Sequence, residues 1–257
     1  LKEWSGIISR MKNPYQKIDI GLIGKYVESK DAYLSINESL KHGGGALGVK
    51  VGIKPIEAEK IQEQNVEKYL GNLDGVLIPG GFGKRGIDGK IIAARYAREN
   101  NIPFFGICLG MHTAVIEFAR NSAGMTGAHS TEFNPDTPYP IIHLLPNQRN
   151  QKDLGGTMRL GNYRCQLKVN TRCHSLYQQE EILERHRHRY ELNSEYIHQL
   201  EKSGMVMAGF NPEFQVVEMI ELSNHPWYVG VQFHPEFKSR PNPVSYTHLT
   251  LPTIYSV

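Results

Sequence analysis

A cysteine between two glycines, in Gly106-Ile107-Cys108-Leu109-Gly110, is the feature of this sequence best suited to covalent chemistry. An apolar run over 102–105 precedes it and an amphipathic stretch over 111–120 follows it, which predicts a strand, a tight turn and a helix. We expect Cys108 to be exposed at the first turn of that helix, where free N–H groups stabilise a thiolate. A free cysteine is more often a small buried core residue, so the interpretation needs a base elsewhere in the chain.

The candidate base lies near the other end of the chain, where the strand-like run 227–233 is followed by His234-Pro235-Glu236. Because Pro235 cannot continue a regular ladder, His234 marks the end of the strand. The carboxyl ends of parallel strands share one edge of a sheet, which places His234 near the cysteine turn. Glu236 can accept the second imidazole N–H and fix the tautomer. The sequence therefore predicts a nucleophile, a base and an orienting carboxylate.

A second glycine-rich turn, Pro79-Gly80-Gly81-Phe82-Gly83, follows another apolar strand. Residues 81–86 also match the G-x-G-x-x-G pattern of dinucleotide sites. The next strand, 102–107, leads into Cys108 and lacks the acidic residue that would hold a ribose, which disfavours a dinucleotide site. We expect the backbone N–H groups of this turn, with that of Leu109, to form an oxyanion hole. A simple tight turn is the alternative.

Arginine and histidine alternate over 185–189. On a strand the three arginines line one side and the two histidines the other. Three guanidinium groups on one face suit a carboxylate or a phosphate, whereas a solvated surface is the usual alternative. The net charge of +3 and the lack of interleaved aromatic residues favour a small anionic ligand over nucleic acid.

The composition is that of an ordinary globular chain, with 257 residues of which 40% are hydrophobic. Three cysteines, Cys108, Cys165 and Cys173, have no paired spacing, so we expect neither disulfides nor a cysteine metal site, and a reducing cytoplasmic setting. No apolar run is long enough for a membrane span, and no secretory leader is visible. The first residue is Leu1, and 1–14 resembles the end of a longer chain.

Strands and helices alternate through the first half of the chain, which predicts a largely parallel sheet with helices on both faces. We expect strands over 17–24, 49–55, 73–78 and 102–107, and helices over 32–42, 61–70 and 88–100. Asp31 should cap the first helix and Gly43-Gly44-Gly45 should end it.

The second half of the chain has a different pattern. Residues 131–157 are rich in Pro, Asn, Asp and Gly and predict a loop. Strands are expected over 158–168, 185–192, 205–209, 215–221 and 227–233, as an antiparallel extension of the sheet plus the strand that carries His234.

Together the cysteine turn (106–111), the glycine turn (79–83) and Phe233-His234-Pro235-Glu236 resemble the class I, triad-type glutamine amidotransferases. Other segments are similar to the amidotransferase half of the CTP synthase family; they are 31–35, 40–44, 130–133, 154–161, 184–191 and 224–227. This resemblance runs from about residue 1 to residue 240. It implies an α/β, flavodoxin-like fold, with a mostly parallel central sheet flanked by helices and a small antiparallel extension.

The resemblance also implies a reaction. Cys108 would attack the side-chain amide of L-glutamine, and His234, oriented by Glu236, would protonate the departing ammonia. A glutamyl thioester would then be hydrolysed to glutamate. The glutamine-binding residues implied by the family are Gly81, Leu109, Gly110, Met111, His112, Glu132 and Arg189. Of these, Gly81 and Leu109 would supply oxyanion N–H groups, while Glu132 and Arg189 would hold the α-amino and α-carboxylate groups.

The resemblance implies that this domain binds no cofactor and no metal. Ammonia would pass to an amino-terminal synthase domain, absent here, that aminates UTP to CTP with ATP and Mg²⁺, while GTP acts as an allosteric activator. Assembly would be homo-oligomeric through that domain, in the cytoplasm, with neither nucleic acid nor membrane as partner. Residues 1–16 would be an interdomain segment, 17–240 the amidotransferase domain and 241–257 a foreign or artefactual tail.

Two departures from the family pattern stand out. His112 replaces a glutamine that helps form the substrate pocket, so we expect weaker glutamine binding. Residues 244–257 lack helical periodicity where family members continue to a closing helix. Two other functions stay open. One is another class I glutaminase or a γ-glutamyl hydrolase, and the other is a fragment that binds glutamine or partner chains without turnover.

Overall fold

The structure, a computed structural model, describes residues 2–29, 31–144 and 158–241. Its α-helices are α1 (Lys2–Lys12), α2 (Leu34–Leu47), α3 (Val66–Leu70), α4 (Ile87–Glu99), α5 (Leu109–Asn121), α6 (Arg172–Tyr177) and α7 (Ile197–Lys202). Its first six strands are β1 (Gln16–Gly24), β2 (Val49–Glu57), β3 (Gly75–Ile78), β4 (Phe104–Ile107), β5 (His129–Ser130) and β6 (Pro140–Leu144). The others are β7 (Arg159–Leu167), β8 (Glu181–His188), β9 (Tyr190–Leu192), β10 (Met205–Asn211), β11 (Val216–Leu222) and β12 (Tyr228–Val231).

In the described part of the chain, nine strands form one sheet in the order β2-β1-β3-β4-β12-β11-β10-β7-β8. The pairs from β2 to β12 are parallel, and those from β12 to β8 are antiparallel. A small sheet, β5-β6-β9, pairs β5 with β6 in parallel and β6 with β9 antiparallel. The parallel sheet and its antiparallel extension are thus confirmed.

The alternation of side chains along the strands builds a core on each face of the sheet. In β3, Val76 and Ile78 face a cluster with α3, α4, α5 and α7, while Leu77 faces a cluster with α2 and α6. Both faces are therefore covered, as parallel sheets require. No helix among the described residues has the length and apolar character needed to cross a bilayer.

The bounds predicted for the helix over 32–42 are wrong at both ends. It begins at Leu34, after Tyr33 rather than Asp31, and it continues through the three glycines to Gly48, whose left-handed backbone (φ 74°) ends it. The glycines serve close packing instead of termination. A Cβ on Gly44 would lie 2.5 Å from the carbonyl oxygen of Val49, and one on Gly45 would lie 2.7 Å from Met11 Cγ.

Three other expectations need correction. Only Val66–Leu70 of the helix expected over 61–70 is helical. The loop expected over 131–157 contains β6, because Ile141 and Ile142 are apolar enough to pack in the core. α5 is not amphipathic, since every residue from Leu109 to Ala119 is buried. Residues 154–157 of the family motif and the tail from 242 lie outside the described residues.

The parallel strands bring four connections to one edge of the sheet. β1, β3, β4 and β12 are neighbours, and their carboxyl ends are Gly24, Ile78, Ile107 and Val231. The residues that follow include the glycine turn, Cys108 and His234. The fold therefore places the predicted chemistry in the crevice expected for such sheets.

Candidate active site

Cys108 occupies a sharp turn between β4 and α5, with φ 50° and ψ −104°. Its N–H donates to the carbonyl oxygen of Val231 at 2.7 Å, and its own carbonyl accepts the N–H of His112 at 3.1 Å. A Cβ on Gly106 would lie 2.6 Å from the backbone of Gly110, so this turn needs a glycine before the cysteine. A non-glycine residue at positive φ is strained, and such strain is concentrated at functional sites.

The expectation that Cys108 is exposed is wrong. The residue is only 3% exposed, because the side chains of neighbouring elements close over the turn. Its sulfur borders a cavity of about 10 Å³, which is roughly the space one water needs. The nucleophile is therefore reached through a narrow cavity and not from an open surface.

His234 is held in place by backbone and side-chain contacts. Its N–H donates to the carbonyl oxygen of Arg185 at 2.7 Å, and its ring stacks on Phe237 with centroids 5.0 Å apart. Pro235 begins a single 3₁₀ turn, Pro235–Phe237, that returns Glu236 toward the imidazole. The Nδ1 atom of His234 lies 2.7 Å from Glu236 Oε1, as the sequence predicts. That contact directs Nε2 away from the carboxylate.

The electrostatics of His234 favour its charged form. Burial acts against the charge, but the sulfur of Cys108 and the carboxylate of Glu236 outweigh it and raise the pKa of His234 to about 10. Since Nδ1 is engaged by Glu236, the buried Nε2 atom is the one left to interact with the sulfur of Cys108. This arrangement favours an imidazolium beside a thiolate, with one N–H available for a proton transfer.

The small cavity beside Cys108 gathers residues from four parts of the chain. Its lining residues are Gly81, Phe82, Cys108, Leu109, His112, Glu132, His188, Arg189 and Tyr190. Five of the seven residues expected to bind glutamine are among them. Gly110 and Met111 are not, because a Cβ on Gly110 would collide with Ile78, and the Met111 side chain packs in the core.

The second glycine-rich turn, 79–83, holds the carboxylate of Glu132. Its Oε1 atom accepts the N–H of Gly83 at 2.9 Å, where the backbone has φ 77°. Burial raises the pKa of Glu132, while this hydrogen bond and the nearby Lys25 and Arg189 lower it. The G-x-G-x-x-G turn thus holds a carboxylate. With Arg189 on the same cavity, the site offers complementary charges for an amino group and a carboxylate.

His234 and Glu236 border a larger cleft of about 400 Å³ that shares Gly81 and Phe82 with the small cavity. Lys25, Lys90 and Arg187 also line it, so its walls are cationic. Burial lowers the pKa of Lys90 to about 7.

The predicted alternation holds over 185–188, where His186 and His188 are buried on one face of β8. The single strand expected over 185–192 is wrong, because β8 ends at His188 and Tyr190–Leu192 forms β9 of the small sheet. Arg185 and Arg187 stay together and line one further pocket with Glu236 and Phe237, whereas Arg189 lines the small cavity.

Sequence reasoning missed Gln232. Its side chain is fully buried, with Oε1 2.7 Å from His112 Nε2 and Nε2 3.8 Å from the sulfur of Cys108. Burial lowers the pKa of His112 to about 4, so this imidazole is neutral near pH 7. The available signal was a lone amide in the apolar run before His234.

A buried ionic cluster next to the site was also missed. Arg159 contacts Glu191 at 2.9 Å and Glu218 at 2.7 Å, and all three are at most 3% exposed. Ligand-type atoms of His186, His188 and Glu218 lie within 4.8 Å of one another. Because the positive guanidinium of Arg159 lies 2.7 Å from Glu218 and would repel a cation bound there, this group does not favour a metal ion.

The comparisons with known proteins agree with this geometry. Residues 28–251 match the family model "Glutamine amidotransferase class-I". The CTP synthase of Bacillus velezensis is 56% identical over 241 residues, which are 94% of this chain and 45% of that protein. The CTP synthase of Clostridium acetobutylicum is 55% identical over 240 residues, 93% of this chain and 45% of that protein. The chain thus spans about half the length of these curated relatives.

Solved structures extend the comparison to the fold. The glutaminase domain of Trypanosoma brucei CTPS with bound acivicin superposes with a TM-score of 0.87 at 35% identity, covering 93% of this chain and 94% of that one. A glutamine amidotransferase from Thermotoga maritima, at 13% identity and a TM-score of 0.51, shares the fold; the match covers 93% of this chain and 94% of that one. The elbow cysteine, the strand-end histidine and these matches lead to one conclusion: the chain belongs to the class I glutamine amidotransferase family, among the glutaminase domains of CTP synthases.

Proposed function

We propose that this chain hydrolyses L-glutamine to glutamate and ammonia through a thioester on Cys108. The observation that carries the proposal is the strained turn of Cys108 beside a histidine whose Nδ1 is held by Glu236 at 2.7 Å. A nucleophile, a base and an orienting group in this relation are what acyl transfer from an amide needs.

In the first half-reaction the thiolate of Cys108 attacks the side-chain carbonyl carbon of glutamine. The imidazolium of His234 gives its Nε2 proton to the amide nitrogen, the C–N bond breaks, and ammonia leaves a glutamyl thioester. The N–H groups of Gly81 and Leu109 would stabilise the oxyanion. Leu109 is the first residue of α5, so its N–H lacks a partner within the helix.

In the second half-reaction His234 removes a proton from water, which attacks the thioester carbonyl. The C–S bond breaks, the thiolate of Cys108 is restored and glutamate is released. Glu132 and Arg189 would hold the α-amino and α-carboxylate groups, and Gly110, Met111 and His112 would complete the pocket. Because the cavity at Cys108 measures about 10 Å³, glutamine binding requires its walls to separate. Phe82, which is 51% exposed, can move at low cost.

The ammonia would be used by a synthase domain that aminates UTP to CTP with ATP and Mg²⁺, and GTP would activate the glutaminase step. Support for this comes from CTP synthase relatives of which this chain matches 45%. We further propose that residues 17–240 form the amidotransferase domain, that the complete enzyme assembles as a homo-oligomer, and that it works in the cytoplasm.

The test is an ammonia-release assay on the chain with glutamine, comparing Cys108→Ala with Cys165→Ala. Cys165 is also buried, and burial raises its thiol pKa well above the ordinary value. We expect Cys108→Ala to lose at least about 10⁴-fold in kcat, whereas Cys165→Ala keeps activity. A γ-glutamyl adduct on Cys108, detected by mass spectrometry, would identify the intermediate. Glutamine binding without ammonia release in the unmodified chain would favour the non-catalytic alternative.

A further inference from the structure

We propose that Gln232, held by His112, is a positioning residue that keeps the sulfur of Cys108 in its reactive, anionic form. The inference rests on the proposed function, since it assigns a role in preparing the same nucleophile. It concerns two side chains that take no part in the proton transfers of His234, one of which, His112, also lines the small cavity.

The three groups form a chain of contacts inside the protein. His112 Nε2 lies 2.7 Å from Gln232 Oε1, and Gln232 Nε2 lies 3.8 Å from Cys108 Sγ. All three residues are at most 3% exposed. The backbone of Gln232 is fixed as well, because its N–H donates to the carbonyl oxygen of Glu218 at 2.8 Å. The amide therefore has few orientations available.

The protonation of His112 decides which end of the amide meets the sulfur. Burial lowers the pKa of His112 to about 4, so near pH 7 its imidazole carries a single N–H. A short contact to a carbonyl oxygen requires that proton on Nε2. With its oxygen engaged by His112, the amide of Gln232 directs its NH₂ group toward Cys108. A thiolate accepts such a hydrogen bond more strongly than a neutral thiol does. The hydrogen bond therefore favours the anionic form of the sulfur.

Other charged groups near the sulfur must be separated from this effect. His234 comes from the end of β12, Lys90 from α4, and Glu132 and Arg189 from the walls of the small cavity. The side chain of Gln232 instead lies between His112 and the sulfur of Cys108. Substituting Gln232 leaves all four in place, so a change in thiolate formation reports the amide.

The experiment measures how fast iodoacetamide alkylates Cys108 of the 257-residue chain as the pH is varied. Gln232→Met keeps the length of the side chain and removes its N–H donors. We expect the midpoint of alkylation to rise by about one pH unit, the size expected for one hydrogen bond to a charged group. The Cys108→Ala chain gives the background from Cys165 and Cys173. An unchanged midpoint in Gln232→Met would show that Gln232 only fills space.

A second pair of variants tests the orientation of the amide without touching Gln232. His112→Gln can still donate to Gln232 Oε1 and should keep the original midpoint, whereas His112→Leu cannot and should shift it upward. This pair decides the matter if Gln232→Met does not fold. Equal midpoints for both His112 variants would overturn the proposal. Because alkylation needs no glutamine, a chain without glutaminase activity still gives a clear result, which separates this inference from the proposed function.

Discussion

Two buried histidines of the same sheet differ in the direction in which their surroundings move the imidazole pKa. His234, at the end of β12, has a carboxylate at 2.7 Å and a pKa raised to about 10. His186, on β8, lies 3.6 Å from the carboxylate of Glu218, and its pKa is lowered to about 2. Both are buried, and both have an acidic neighbour.

The nearest additional charge explains the difference. Burial disfavours the imidazolium at both positions, and at His186 the positive charge of Arg159 acts in the same direction. At His234 the sulfur of Cys108 acts in the opposite direction and, with Glu236, outweighs burial. A buried histidine beside a carboxylate therefore occurs both in the ionic cluster of Arg159 and in the group that contains Cys108. What distinguishes the group around His234 is a nucleophile, Cys108, that stabilises the positive charge of the imidazole.

The largest effect is expected from breaking the buried ionic cluster of Arg159, Glu191 and Glu218. Arg159→Met would leave Glu191 and Glu218 buried without their counter-charge, which should lower the free energy of unfolding by about 3–5 kcal/mol. Urea denaturation measures this change. Arg164→Met is the matched control, because Arg164 makes an equally short pair with Glu181 in solvent and its loss should leave the midpoint almost unchanged. Equal losses in both variants would refute the distinction between buried and exposed pairs.

The group formed by Cys108, His234 and Glu236 is tested by the titration of His234. In the unmodified chain the imidazole should stay protonated from neutral pH up to about pH 10. In Cys108→Ala the sulfur is gone while burial remains, so the pKa should fall by more than about one unit, toward the range of an ordinary histidine. Proton NMR of the histidine ring signals measures it. His225, whose pKa burial lowers without any contribution from Cys108, serves as reference. A His234 pKa that is the same in both chains would contradict the ion pair.

The local sequence was enough for the parts of the fold that depend on short-range patterns. Alternating strands and helices predicted the parallel sheet, and Pro235 after an apolar run placed His234 at a strand end, 2.7 Å from Glu236. These features follow from periodicity and from the backbone limits of proline and glycine, which one sequence displays directly.

The remaining features depend on contacts between distant segments. Gly43-Gly44-Gly45 resembles a helix end, but it lies inside α2 because β2 and α1 pack against it. The burial of Cys108 likewise comes from elements far along the chain. Arg159, Glu191 and Glu218 are 27 to 59 residues apart and meet only through strand pairing. No local pattern identifies such partners, since charge pairing across a sheet depends on the register.

His112 provides the finest comparison, because it is a third buried histidine and stays neutral beside the same sulfur. It borders the cavity where glutamine would bind, with its Nε2 committed to Gln232. His112→Gln has a longer side chain that can reach both Gln232 and the substrate, so we expect the KM for glutamine to fall about two- to tenfold, the range of one neutral hydrogen bond, with kcat little changed. Steady-state ammonia release measures both constants. Equal KM values would show that the imidazole of His112 binds glutamine as well as a glutamine side chain at this position does. The orientation of Gln232 would then be the role left for His112.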